Sequence, residues 1–183
     1  MEYHRIITLK NGRACVLRQG TAQDAEGVLR NFVLNHAQTD FLTTYPDENT
    51  FTVEQEEKYL RTKADSPDEV ELVAEVDGLI VGQAGIARVG RADKVKHRAT
   101  FGISIDRDFW HLGIGRALTK ACIQLAKQAG YGQLELEAVA DNARALALYE
   151  REGFVEFGRN PKGFRSRLTG WQELVLMRRE LDD

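Results

Sequence analysis

Between Phe101 and Leu118 the chain reads FGISIDRDFWHLGIGRAL, and few arrangements accommodate that run. Phe101, Ile103 and Ile105 alternate with small or polar residues, as on one face of a strand. A polar turn follows, and Gly113-Ile114-Gly115 then opens a long stretch with helical spacing. Two glycines at a strand-to-helix junction let another group approach the backbone closely, and the first amides of a helix have no intrahelical partner. With the positive end of the helix dipole, such donors suit an anion, most often a phosphate; a tight turn is the plainer reading of the same glycines.

Two phosphate-binding arrangements are disfavoured at once. A dinucleotide fingerprint requires glycine or alanine where this chain has Leu118, and a nucleotide P-loop requires a Gly-Lys-Ser/Thr sequence that is absent.

The elements on either side define the fold class. Arg13 to Gln19 reads as a strand broken by Gly20, and Thr21 with Asp24 starts a helix that puts Ala25, Val28, Leu29, Phe32 and Val33 on one stripe. His36 falls at its end, where a solvated terminus is expected. Phe41 to Phe51 reads as a loop carrying three aromatics, which either line a substrate pocket or pack beneath the loop. Thr52 with Gln55 forms a capping box for a second helix reaching about Ala64. Glu69 to Val76 alternates acidic and apolar residues as a half-exposed strand, and Asp77-Gly78 turns it into a second strand, Leu79 to Ala87. His97 to Ile105 is the third strand of this meander.

The helix from about Gly113 to Ala129 buries Ile114, Ala117, Leu118, Ala121, Cys122 and Leu125, with Gly130 closing it. Gln133 to Val139 is a strand, so strand, helix and strand make a crossover with parallel strands. Asn142 to Glu152 is a short helix, Phe154 to Gly158 a strand, Asn160 to Gly170 a basic loop, and Trp171 to Arg179 a last strand. The expectation is an α/β (α+β) fold, one domain over residues 1–183. Its mixed, mostly antiparallel sheet holds a central parallel βα unit and carries helices on both faces.

Composition narrows the partners. A net charge of -3 lacks the basic excess that general nucleic-acid binding wants. No apolar run approaches the roughly 20 residues of a membrane span. Residues 1–5 lack a signal-peptide layout, and Cys15 and Cys122 lie too far apart for a metal or disulfide framework. A cytoplasmic chain without a metal, without nucleic acid and without a membrane partner is expected.

Trp110 to Ala117 (WHLGIGRA), followed some thirty residues later by VADNARALALYEREGF, resembles the Gcn5-related N-acetyltransferase (GNAT) superfamily. The first segment matches a Q/R-x-x-G-x-G/A loop. The second matches N-x-x-A-x-x-L-Y-x-x-x-G-F through Asn142, Ala145, Leu148, Tyr149, Gly153 and Phe154. LRQGTAQDAEGV resembles the family's first strand and helix, so the likeness spans nearly the whole chain in order. One departure is Trp110, which replaces the usual Gln or Arg and is expected to alter a flanking contact only.

The resemblance implies transfer of an acetyl group from acetyl-CoA to a primary amine of a small molecule or peptide, by direct attack in a ternary complex. It places the cofactor's pyrophosphate on amides around Leu112, Gly113, Ile114, Gly115, Arg116 and Ala117. Main-chain groups of Ile103, Ser104 and Ile105 would pair with the pantetheine arm, Asn142 would bond the cofactor from the opposite side, and Tyr149 would be the general acid to the departing thiolate. Where many relatives carry a glutamate base this chain has Ala99, leaving Glu75, His97, Glu135 and Glu137 as candidates. Dimerisation is frequent in the family, and the final strand is apolar, so a homodimer is a further expectation. Arg159, Lys162, Arg165 and Arg167 are expected to form a basic loop that either steers an acidic acceptor or is simply solvated. The alternative from another class is an acyl-CoA-binding regulatory or interaction module without catalysis, to which Ala99 points and against which Tyr149 stands.

Overall fold

Asp77 and Gly78 both adopt left-handed backbone angles (φ 50° and 77°), the requirement of a tight two-residue hairpin, and this turn sets the register of the central sheet. The computed structural model describes residues 1–181. In it the hairpin joins β3 (Val70–Val76) to β4 (Leu79–Arg88), and β5 (Arg98–Ile105) completes an antiparallel meander. On the outer side of β3 lie β2 (Ala14–Gln19) and β1 (His4–Thr8). On the other side of β5 come β6 (Gln133–Val139), β8 (Gly170–Glu180) and β7 (Val155–Ser166), so the eight strands run β1-β2-β3-β4-β5-β6-β8-β7. The pair β5–β6 alone is parallel, as the crossover demands.

That parallel pair is short. It is registered only over Arg98–Thr100 against Gln133–Glu135, so Phe101 to Ile105 has no strand partner on that side. The rest of β6 pairs with β8 instead. The sheet therefore holds an opening beside the C-terminal half of β5, directly ahead of the glycine loop.

Strand periodicity divides the core between the two sheet faces. Val70, Leu72 and Ala74 pack beneath α3 (Ile114–Gln128), whose Leu118, Cys122 and Leu125 are fully covered. Each fully buried leucine or isoleucine contributes about 1.5–3 kcal/mol. The opposite face carries α1 (Ala25–Gln38) and α2 (Val53–Ala64), where Ala25, Val28, Leu60, Val73 and Ile80 form a smaller core. The helix α4 (Ala143–Arg151) packs beside α3, capped by the Asn142 carboxamide, which accepts from the Ala145 amide at 3.3 Å. The capping box of α2 is present: Thr52 Oγ1 accepts from Gln55 N at 3.2 Å, and Gln55 Oε1 from Thr52 N at 2.8 Å.

Three readings change. The strand β1 has no counterpart in the sequence-based expectation; its pairing with β2 and the packing of Ile7 on the core hold it in place. Asn160 to Gly170 is not a loop, because β7 continues to Ser166 with two register shifts against β8. His36 is buried rather than solvated, stacked on Phe32 at 3.7 Å with its Nδ1 2.7 Å from the Phe32 carbonyl.

Candidate active site

The opening beside β5 leads into a cavity of about 770 Å³ whose walls come from β5, the glycine loop and α4. The loop is shaped by backbone constraints. His111 and Gly113 hold positive φ (63° and 105°), and the Gly113 carbonyl already accepts from Ala117 N at 3.1 Å. The amides of Ile114, Gly115 and Arg116 thus head α3 without an intrahelical acceptor. A Cβ on Gly115 would sit 3.3 Å from Ile105 Cδ1 and 3.4 Å from Leu148 Cδ2, so glycine lets loop, strand and α4 converge. Lys10, Arg144 and Arg151 line the same cavity as a cationic rim suited to phosphates, and Arg116 beside them is paired with Glu152 at 2.7 Å. Free amides, side-chain-free backbone and positive charge together fit a diphosphate-bearing nucleotide ligand.

Of the residues expected here, Ile103, Ser104, Ile105, Gly113, Gly115, Arg116, Asn142 and Tyr149 line the cavity. Leu112, Ile114 and Ala117 do not; their side chains pack into the core, leaving only main-chain groups to offer. The Leu112 carbonyl accepts from Lys10 N at 3.2 Å and ties the loop to the β1–β2 turn.

Tyr149 is 8% exposed, within an aromatic cluster where Phe101 and Phe154 stand edge-on to its ring at 6.1 and 5.9 Å. Burial pushes its phenol up to about 12, partly offset by the Arg144 charge, so at neutral pH it carries a proton. Arg144 in turn lies 3.3 Å over the Trp110 ring. The Trp110 indole Nε1–H donates to the Ile105 carbonyl at 2.7 Å. Trp110, standing where the motif has Gln or Arg, thus makes two contacts within the protein itself. It occupies one main-chain acceptor of the expected pantetheine rail and stacks a guanidinium from α4 above the loop.

A second cavity, about 570 Å³, lies on the opposite side of β5 beneath α1, α2 and the segment between them. Leu42, Ile103 and Ser104 line both cavities, so β5 is their common wall. The aromatics of the Phe41–Phe51 segment divide. Phe41 faces the first cavity and Phe51 the second, whereas Tyr45 faces neither, its hydroxyl accepting from the Arg167 amide at 2.7 Å. His36, lining the second cavity, is held neutral because burial pushes its imidazole down against the hydrogen bond to Phe32.

The proposed bases fall elsewhere. Glu75 pairs with Arg18 at 2.7 Å, Glu135 with Arg98 through two hydrogen bonds, and neither these nor His97 or Glu137 lines either of the two cavities. The carboxyls that do line one are Glu48, Glu56 and Glu71 in the second cavity, with Glu71 on its floor and the Tyr59 hydroxyl 3.3 Å away. In the sequence Glu71 is one acid of an alternating strand, and only the helices above reveal its environment. Two of the four basic side chains at the chain's end are already neutralised, Arg159 by Glu156 and Glu173 and Arg167 by Asp47, while Lys162 and Arg165 lie over Trp171.

Residues 31–154 match the family model described as acetyltransferase (GNAT) family. The N-alpha-acetyltransferase RimI of Mycobacterium tuberculosis is 32% identical over 118 residues, 64% of this chain and 70% of that protein. Among solved structures, a GNAT-family acetyltransferase from Streptococcus pneumoniae superposes with a TM-score of 0.84 at 27% identity, over 91% of this chain and 99% of that one. A Salmonella typhimurium putative acetyltransferase, yncA, solved with its cofactor acetyl-CoA, superposes at 0.80 over 92% and 95% of the two chains; at 18% identity it shares the fold. With the paired glycine and Asn-to-Phe motifs meeting at one cavity, the chain belongs to the GNAT family of acetyltransferases.

Proposed function

We propose that this acetyl-CoA-dependent N-acetyltransferase passes the acetyl group directly to a primary amine in a ternary complex, with Tyr149 as the general acid. The observation that carries this reading is the wall shared by two cavities. One suits the nucleotide thioester and holds the Tyr149 phenol; the other is free to hold an acceptor; β5 at Ile103 and Ser104 separates them.

Transfer asks little covalent chemistry of the protein. The amine must be neutral to attack, although an ordinary alkylamine is protonated near pH 7. Collapse of the tetrahedral intermediate breaks the carbon–sulfur bond, and the thiolate leaves as thiol if a proton is supplied. A buried phenol that keeps its proton at neutral pH is a fit donor, and the Arg144 charge stabilises the phenolate left behind. A covalent route through cysteine lacks a nucleophile: Cys15 and Cys122 are both buried, neither lines either of these cavities, and burial pushes the Cys15 thiol up to about 11 and the Cys122 thiol further.

The acceptor stands as a small-molecule or peptide amine, in keeping with the N-alpha-acetyltransferase relative. The same reading puts the chain in a reducing cytosol, where buried free thiols persist, and takes a homodimer from the family. Among the described residues no helix is long and apolar enough to cross a membrane. Thiol release from acetyl-CoA across a panel of primary amines tests the proposal. Turnover on one or more amines, with coenzyme A as a competitive inhibitor against acetyl-CoA, supports it. Acetyl-CoA binding without turnover on any amine would favour the non-catalytic module.

A further inference from the structure

The floor of the second cavity is a straight row across three strands. Glu71 on β3 stands opposite Gly85 on β4, and Gly85 opposite Gly102 on β5. A Cβ at position 85 would lie 2.4 Å from Glu71 Oε2, so glycine is what allows the carboxyl to lie along the sheet. At Gly102 a Cβ would meet nothing within 4 Å, so the trough stays open up to β5. Two strand spacings make this trough roughly 10 Å long. Its far end is the wall shared with the nucleotide cavity.

The near end is acidic and aromatic. Glu56, only 6% exposed, lines the cavity, and its carboxyl has no hydrogen-bond or ion-pair partner among the described residues. Tyr59 and Phe51 stand beside it. The groups facing Glu71 are Tyr59, Glu56 and Lys63 from α2, His36 from α1 and Glu48 from the intervening segment. Lys63 is committed to Glu69 at 2.9 Å, and His36 is neutral, which leaves two carboxyls without a matching cation. A buried unpaired carboxyl is costly unless a positive charge joins it or it takes a proton.

We propose that this end holds a second cationic group of the acceptor, so that the enzyme takes diamine- or polyamine-type substrates: one amine reaches β5 for acetylation while a distal ammonium rests on Glu71 and Glu56. The inference rests on the acetyl-transfer reading and adds the substrate class to it. The Glu71 carboxyl lies over Gly85 on β4, one strand spacing or about 5 Å from β5, and its role is selection, with the aromatic walls adding cation–π attraction. Burial pushes the Glu71 carboxyl up to about 7, against the Lys63 charge and the Tyr59 hydrogen bond. Selection should therefore weaken below neutral pH.

The test compares cadaverine with pentylamine, equal in chain length but differing in the second charge, by calorimetry in the presence of coenzyme A and by thiol release. The wild type should bind cadaverine about 10- to 100-fold more tightly, the range of a charged hydrogen bond. Glu71→Gln should erase that ratio, and Glu71→Asp should restore part of it. Equal affinities in the wild type, or an unchanged ratio in a folded Glu71→Gln, would overturn the proposal. Selective binding with no thiol release on either amine would refute acetyl transfer instead and leave the cation site standing.

Discussion

The Trp110 indole reaches back to the carbonyl of Ile105 at 2.7 Å, closing the turn that joins the central strand to the phosphate-type loop. The contact fixes where β5 ends relative to the start of α3, and the Arg144 guanidinium covers the ring from α4. The end of β5, the loop after it and α4 meet at one side chain.

Trp110→Phe keeps an aromatic surface under Arg144 but deletes the donor. Acetyl-CoA affinity should fall about 3- to 10-fold, in line with loss of a net hydrogen bond of about 1 kcal/mol. Equilibrium binding of acetyl-CoA measures it. Wild-type affinity would show that the tie does not organise the loop.

Tyr149→Phe removes the proposed acid and little else, because the ring stays packed between Phe101 and Phe154. Turnover should drop about 100-fold or more, the usual scale of general acid catalysis, with acetyl-CoA affinity little changed. Steady-state kinetics beside direct binding separates the two quantities. Unchanged turnover would remove Tyr149 from the chemistry.

Gly113→Ala places a side chain on a residue held at φ 105°. The strain is about 1–3 kcal/mol, although no atom lies within 4 Å of the added carbon. Lower thermal stability and weaker acetyl-CoA binding are both expected, because relaxing the backbone turns the amides of α3 away. Calorimetric melting with and without acetyl-CoA reads both effects; unaltered binding would show that the amides do not hold the ligand.

Away from the cavities, Arg18 bridges Asp24 and Glu75, each at 2.7 Å, and so joins β2 and β3 to the turn before α1. Burial raises the Asp24 carboxyl, but hydrogen bonds from Arg18 and Thr21 outweigh it, leaving the pKa below the usual carboxylate value. A pKa depressed on folding adds stability that is fully present above the unfolded value near 4 and is lost as pH falls through the folded value. Asp24→Asn should therefore cost about 1.5–3 kcal/mol at pH 7, the worth of a hydrogen bond to a charged group, and progressively less below pH 4. Urea titrations at the two pH values check it; a penalty independent of pH would exclude the ionic contribution.

Local signals carried the helices, the Asp77-Gly78 hairpin and the crossover, because apolar spacing, capping boxes and left-handed turn residues act within a few positions along the chain. The glycine loop and Tyr149 stood out for the same reason, each lying within one contiguous motif. The acceptor side did not. Glu71 sits on the acidic side of an alternating strand that reads as half-exposed, and α1 and α2 cover that face of the sheet. Its geometry depends on Gly85, fourteen positions on, and on Gly102, beyond the next turn. His36 looked like a helix terminus and proved to be buried against Phe32. The second half of β7, from Asn160 to Ser166, looked like a loop because its residues are polar and basic, and pairing with β8 makes it extended. The sequence by itself thus determined the family, most of the order of strands and helices and the glycine turn ahead of α3, since those rest on short-range patterns. The tertiary structure alone decided which carboxyl faces a cavity, since burial and strand register belong to residues brought together from across the chain.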